Sequence, residues 1–139
     1  MPYLLDTNAL SEVSKPQPNQ GFMDWFNQAE VSELYVSCIT LGELYKGIEI
    51  LTDSVKRNKL RKHTAEITKA FSNRVLIINL DTTIIWSSIM AASIKKGQTA
   101  PSIDALIASQ SLQNNLILVT HNTKDFKQFD ELELYCPWS

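Results

Sequence analysis

The chain has 139 residues, 44% hydrophobic and 20% charged, with four glycines and five prolines; such a chain builds one domain with a real core and is neither a disordered tail nor a disulfide-stapled miniature. No apolar run approaches the roughly 18 to 20 residues of a membrane helix and Met1 is not followed by a leader pattern, so a soluble, cytoplasmic protein is expected. The net charge of −2 hides a mosaic in which residues 1–53 carry −6, residues 54–74 carry +6 and residues 75–139 carry −2. The basic middle segment is either a phosphate-contacting surface or a solvated helix face. Cys38 and Cys136 are far apart with no CxxC spacing, which leaves no zinc or redox motif; Cys38 reads as core and a disulfide is not expected.

In chain order, Tyr3-Leu4-Leu5 reads as a short strand ending at Asp6, with a helix from there to about Ser14. The segment Lys15–Pro18 breaks it, and Phe22, Trp25 and Phe26 mark one face of a second short helix. Leu34-Tyr35-Val36 predicts a second strand. From about Thr40, Leu41, Leu44, Ile48 and Leu51 keep helical spacing, and Leu60, Ile67 and Phe71 do so among the basic residues. Val75–Leu80 is a nearly continuous apolar run and predicts a buried strand. Ile84, Ile85, Ile89, Met90 and Ile94 predict a helix ending at Lys95-Lys96-Gly97, where cations and glycine suit a helix C-terminus. Pro101-Ser102 opens a helix running to about Gln113 and broken by Asn114-Asn115. Leu116–Val119 predicts another buried strand, and Leu132–Tyr135 alternates like an edge strand.

Short apolar strands alternating with helices imply crossover units, so the expected fold is α/β: a three-layer α/β/α domain around a short, mostly parallel sheet. Ligands of such sheets sit beyond the carboxyl ends of the strands. Asp6 falls at such an end, either as a helix cap or as a site residue. Glu43 lies beside an apolar stripe with Gly47 one turn on, a small-residue face able to approach a neighbour closely, unless it is simply solvated. Asp104 stands among Ile103, Ala105, Leu106, Ile107 and Ala108, where a carboxylate is costly unless paired, coordinating a cation or capping the helix. Thr120–Phe126 follows the LILV strand with more polar groups. Hard oxygen ligands suit Mg²⁺ or Mn²⁺ rather than zinc. His63 and His121 have no zinc spacing, and no phosphate-binding glycine loop or serine nucleophile elbow occurs.

Taken in order, LLDTN (4–8), ITLGELYKGIE (39–49), PSIDALIASQSL (101–112) and LVTHNTKDF (118–126), with Cys136-Pro137-Trp138 near the end, resemble the PIN-domain ribonucleases, specifically the VapC-type toxins of bacterial toxin–antitoxin pairs. The resemblance spans nearly the whole chain. It implies that Asp6, Glu43 and Asp104 hold a divalent cation, Mg²⁺ with Mn²⁺ as the alternative, and hydrolyse an RNA phosphodiester to 3′-hydroxyl and 5′-phosphate products. The fourth site position, often acidic in the family, is Asn122 here, with Asp125 three residues on. His121 stands where an arginine is frequent and would contact phosphate, while Thr7 and Asn8 would hydrogen-bond the acidic cluster. The resemblance also implies a homodimer in the bacterial cytoplasm and a cognate VapB-like antitoxin that blocks the groove. Arg57, Arg61 and Lys62 of the basic segment are candidate contacts for the RNA backbone.

Three other readings compete. One is an inactive PIN-like scaffold that binds RNA or protein, kept open by Asn122. Another is a phosphoryl-transfer domain with Asp6 as acceptor, which lacks the second acid that Asn8 displaces. The last is a receiver-like signalling domain with Asp81 as acceptor and, at best, Lys124 as its lysine.

Overall fold

The computed structural model describes residues 2–139; Met1, from which a leader would start, lies outside the described residues. Five short strands, β1 (Tyr3–Leu5), β2 (Leu34–Ser37), β3 (Val75–Leu76), β4 (Ile117–Val119) and β5 (Leu134–Tyr135), form one sheet in the order β3-β2-β1-β4-β5. Every pairing is parallel, with Leu4 level with Tyr35 on one side and Leu118 on the other. Between the strands run α1 (Thr7–Val13), α2 (Gln20–Gln28), α3 (Cys38–Glu49), α4 (Ser54–Ala70), α5 (Leu80–Lys95), α6 (Ser102–Asn114) and α7 (Thr123–Phe126). No helix among them is long and apolar enough to cross a membrane.

Side chains alternate across the strands and so supply two separate cores. Leu4 and Leu118 face one side, where they pack with Ala105, Ile107 and Ala108 of α6 and Phe126 of α7. Leu5, Val36 and Val119 face the other, with Ala9 and Leu10 of α1, Phe22 of α2 and Leu41 of α3. Helices therefore cover both faces, and the expected three-layer α/β/α architecture is the observed one. The chain winds outward from β1 to β3 on one side and then returns to place β4 against β1's other edge. The crevice beyond the carboxyl ends of β1 and β4 is the point where the winding reverses, the favoured ligand position of such sheets.

Three local expectations are corrected. The run 75–80 is not one buried strand: β3 stops at Leu76, Ile77 is 71% and Leu80 74% exposed, and Leu80 already begins α5. Asn79 starts that helix: its side chain accepts from Thr82 N while Thr82 Oγ1 accepts from Asn79 N, a reciprocal cap. The buried Gln110 amide donates to the Leu76 and Ile77 carbonyls, taking the place of further strand pairing. Cys38 is only half-buried at the start of α3, and both cysteines are free. The Gly47 face meets no neighbour: a Cβ there would have no atom within 4 Å. The expected stops are present, with Gly97 at φ +75° after α5 and Asn115 in the left-handed region after α6.

Candidate active site

At the reversal point the chain builds an acidic pocket of about 440 Å³, lined by Asp6, Thr7, Asn8, Ser11, Glu12, Lys15, Glu43, Asp104, His121 and Asn122. Four separate segments supply it: the end of β1 with α1, then α3, α6 and the loop after β4.

Asp6 caps a helix and lines the pocket at once. It caps α1 by accepting from Thr7 N at 2.8 Å, and its Oδ2 accepts from Thr120 Oγ1 at 2.9 Å and Asn8 Nδ2 at 3.2 Å. Its N–H donates to Val119 O at 3.0 Å, tying the two strand ends together. Burial raises the Asp6 pKa above the usual carboxylate value and Glu43 adds to the rise, against the opposing hydrogen bonds from Thr7, Thr120 and Asn8. Glu43 projects from α3, where Thr40 and Leu41 are buried against the domain, and its Oε1 accepts from Thr7 Oγ1 at 2.7 Å.

Asp104 does not cap its helix. The cap position is Pro101, which makes no side-chain hydrogen bond, and Asp104 sits half-buried in the first turn of α6 beside the fully buried Ala105. Its pKa is raised by burial first, then by the negative charges of Asp6, Asp125 and Glu43. Asn122 lines the pocket, and its N–H donates to Thr120 Oγ1 at 3.0 Å. Asp125, in the first turn of α7, is exposed and outside the lining, near enough to act on Asp104 by charge. Asn8 joins the two strand ends by accepting from His121 N at 3.0 Å.

Arg57, Arg61 and Lys62 are not brought into the pocket. They ride on α4, where Arg61 pairs with Glu49 at 2.6 Å. Asp81 lies exposed in the first turn of α5, away from the pocket, which removes the receiver reading.

Sequence reasoning named Thr120 only as part of a polar loop, and it missed Lys15 and above all Glu12. Glu12 is 4% exposed, yet it accepts from Trp138 Nε1 and Asn19 N at 2.9 Å each and from Lys15 Nζ at 3.0 Å. Led by the Trp138 hydrogen bond, these donors lower its pKa to about 2. The polar positions 8, 11 and 12 on one side of α1, continued by Lys15 just past its end, were the available signal, a stripe at helical spacing.

Carboxylate, amide and hydroxyl oxygens, all hard donors, predominate here, and two of the carboxylates carry raised pKa values in part because negative charge is crowded among them. That is the chemistry of a site for a hard divalent cation. Among the described residues no three acidic, histidine or cysteine side chains already converge as a coordination shell; the carboxylates ring the pocket, and Asp104 has no hydrogen bond holding its side chain in place.

A parallel three-layer domain with acids from β1, α3 and α6 around one pocket is the arrangement of a PIN domain, and the PIN domain family model matches residues 3–132. The chain belongs to that family. Its relatives narrow the position further: it is 32% identical to the plasmid stability protein StbB of Pseudomonas syringae pv. tomato and 30% identical to the toxin FitB of Neisseria gonorrhoeae, with 97% of each chain covered in both comparisons. It is 27% identical to the VapC ribonuclease Y4jK of Sinorhizobium fredii, over 97% of this chain and 96% of that one. Among solved structures it superposes on FitAcB from Neisseria gonorrhoeae with a TM-score of 0.91 at 30% identity, covering 98% of both chains.

Proposed function

We propose that this chain is a divalent-metal-dependent endoribonuclease and the toxin of a VapBC-type pair. The observation that carries the reading is the convergence of Asp6, Glu43 and Asp104, with Asn122, on one pocket where the sheet's winding reverses. Asp6, Glu43 and Asp104 would hold Mg²⁺, or Mn²⁺ in its place, with Asn122 offering a neutral oxygen as fourth donor. Held by these residues, such a cation would supply Lewis-acid chemistry, acidifying water and offsetting negative charge on a phosphate.

The chain's own groups perform the rest. Thr120 and Asn8 fix the Asp6 carboxylate from one side and the Thr7 amide fixes it from another, while the Thr7 hydroxyl fixes Glu43. Asp104 supplies a half-buried carboxylate from the first turn of α6. With raised pKa values, Asp6 and Asp104 hold protons more readily than ordinary carboxylates when no cation is bound, and release them as the site loads. Lys15 stands at the pocket as a cation for the RNA phosphate, its ammonium held by Glu12.

Two surfaces support the partners. A groove lined by Leu44, Gly47, Ile48, Leu51, Leu60 and Ile67 runs between α3 and α4 and shares Thr7, Ser11 and Glu43 with the acidic pocket. An antitoxin segment lying there would reach the carboxylates, and Gly47 leaves room for it. The chain is similar to FitAcB from Neisseria gonorrhoeae and to VapBC2 from Rickettsia felis, the latter solved bound to a DNA fragment from their promoter. The homodimer is supported by Ile77, Leu80, Ile84 and Ile94, which are 71%, 74%, 56% and 62% exposed at and along α5.

The test is to purify the protein free of any partner, incubate it with total cellular RNA in Mg²⁺ or EDTA alongside Asp6→Asn, and map the ends. Discrete Mg²⁺-dependent cuts with 3′-hydroxyl ends, absent from the variant, are expected. A folded, metal-loaded protein that cuts nothing overturns the nuclease reading in favour of the binding scaffold that Asn122 suggests.

A further inference from the structure

An aromatic column runs from the core to the mouth of the acidic pocket. Phe22, fully buried, packs on Trp138 with ring centroids 4.7 Å apart, and Trp138 in turn stacks on His121 at 4.9 Å with the two planes 8° from parallel. The column is rigidly held. Trp138 Nε1 donates to the buried Glu12, and Ser139 N donates to Asn19 Oδ1 at 3.1 Å, which clamps the segment beyond Trp138 to the start of α2.

The column ends in His121, which is exposed and lines the same pocket as Asp6 and Asp104. Trp138 covers one ring face. The other has no ring partner, and neither ring nitrogen has a hydrogen bond among the described residues, while the His121 backbone is fixed through Asn8. A planar, preoriented ring with one free face beside a phosphate-hydrolysing pocket has the chemistry of a base platform. Unpaired nucleobases stack on such faces in a sequence-tolerant way.

Resting on the nuclease reading above, we infer that the free face of His121, backed by Trp138, stacks a nucleobase of single-stranded RNA beside the scissile phosphate. The ring contributes its plane and not its charge, a different role from the phosphate contact that an arginine at this position would make. Trp138 and Glu12 are positioning residues, acting through His121.

Binding is measured by fluorescence anisotropy in the Asp104→Asn background, which keeps the RNA whole. The probes are a labelled random-sequence RNA of about 12 nucleotides and a ribose–phosphate strand of the same length without bases. His121→Ala is expected to weaken RNA binding roughly tenfold, His121→Phe or His121→Tyr to restore it and His121→Lys to fail to restore it. Binding of the baseless strand stays the same in His121→Ala, His121→Phe and His121→Tyr. Trp138→Ala follows His121→Ala; where circular dichroism shows that it misfolds, the His121 series decides alone. Restoration by His121→Lys, equal weakening of both strands by His121→Ala, or binding of neither strand overturns the platform. The two readings fail separately. A wild type that cuts RNA yet binds both strands equally refutes only the platform, whereas base-dependent binding without Mg²⁺-dependent cutting refutes only the nuclease.

Discussion

The Thr7 hydroxyl donates to Glu43 Oε1 at 2.7 Å, joining the residue after Asp6 to an acid 36 positions later on another helix. One side chain thereby links the first two carboxylates, since the Thr7 amide simultaneously binds Asp6. Thr7→Ala frees Glu43 without touching either acid. It should lower metal affinity and cleavage by about 10- to 100-fold, the usual cost of losing a group that orients a ligand, and Thr7→Ser should restore most of both. Calorimetric metal titration and cleavage rates check this; a fully active Thr7→Ala would show that Glu43 needs no such anchor.

Asp104→Asn should abolish cleavage and, in metal-free protein at pH 7, raise the melting temperature. The sign follows from linkage. The folded-state pKa of Asp104 lies above its ordinary value of 3.8, so its favourable contribution is present below pH 3.8 and lost as the pH rises through the raised value. The gap between variant and wild type should therefore close on acidification and shrink on adding Mg²⁺. Thermal melts across pH, with and without the cation, measure both effects.

Glu12 has the opposite dependence. Its pKa is lowered from 4.5 to about 2, so its stabilisation is complete above pH 4.5 and disappears as the pH falls toward about 2. Glu12→Gln cannot accept from all three donors, and it should cost about 1.5 to 3 kcal/mol at pH 7, the range for hydrogen bonds to a charged group. Urea denaturation at pH 7 and at pH 2 to 5 checks the magnitude and the lost acid dependence.

Exposed Leu80 and Ile84 lie one helical turn apart on α5, and covering them is the role assigned to a second copy. The double substitution Leu80→Lys, Ile84→Glu should give a folded monomer by sedimentation, with the helical signal unchanged. A wild type already monomeric at tens of micromolar would remove that face from the dimer.

Asn122→Asp places a charge where the family often has one. Divalent-cation affinity should rise by about an order of magnitude, because such sites are tuned by ligand charge. Unchanged affinity in this variant, together with a loss in Asp125→Asn, would assign the fourth position to Asp125.

Much of this was legible along the chain because the signals are short-range. Tyr3–Leu5 followed by Asp6, the helical spacing of 41, 44, 48 and 51, and the Lys95-Lys96-Gly97 stop each depend on neighbours within a turn or two. Val75–Leu80 misled because hydrophobicity reports burial only when something covers the residue. Ile77 and Leu80 are apolar and yet exposed in the single chain, and the strand was ended by Gln110 from a distant helix. Glu12 was invisible for a related reason: Trp138, which fixes its charge, is 126 residues away.

Residue identity alone set which groups can ligate, stack or carry charge, and local periodicity set where helices and strands begin. The tertiary structure alone decided that β4 pairs with β1 rather than extending past β3. That crossing sets Thr120 against Asp6 and carries His121 to Trp138. Which acids share a pocket is a property of strand order, and strand order follows from how two apolar faces of one sheet are covered at once, a condition no segment meets by itself.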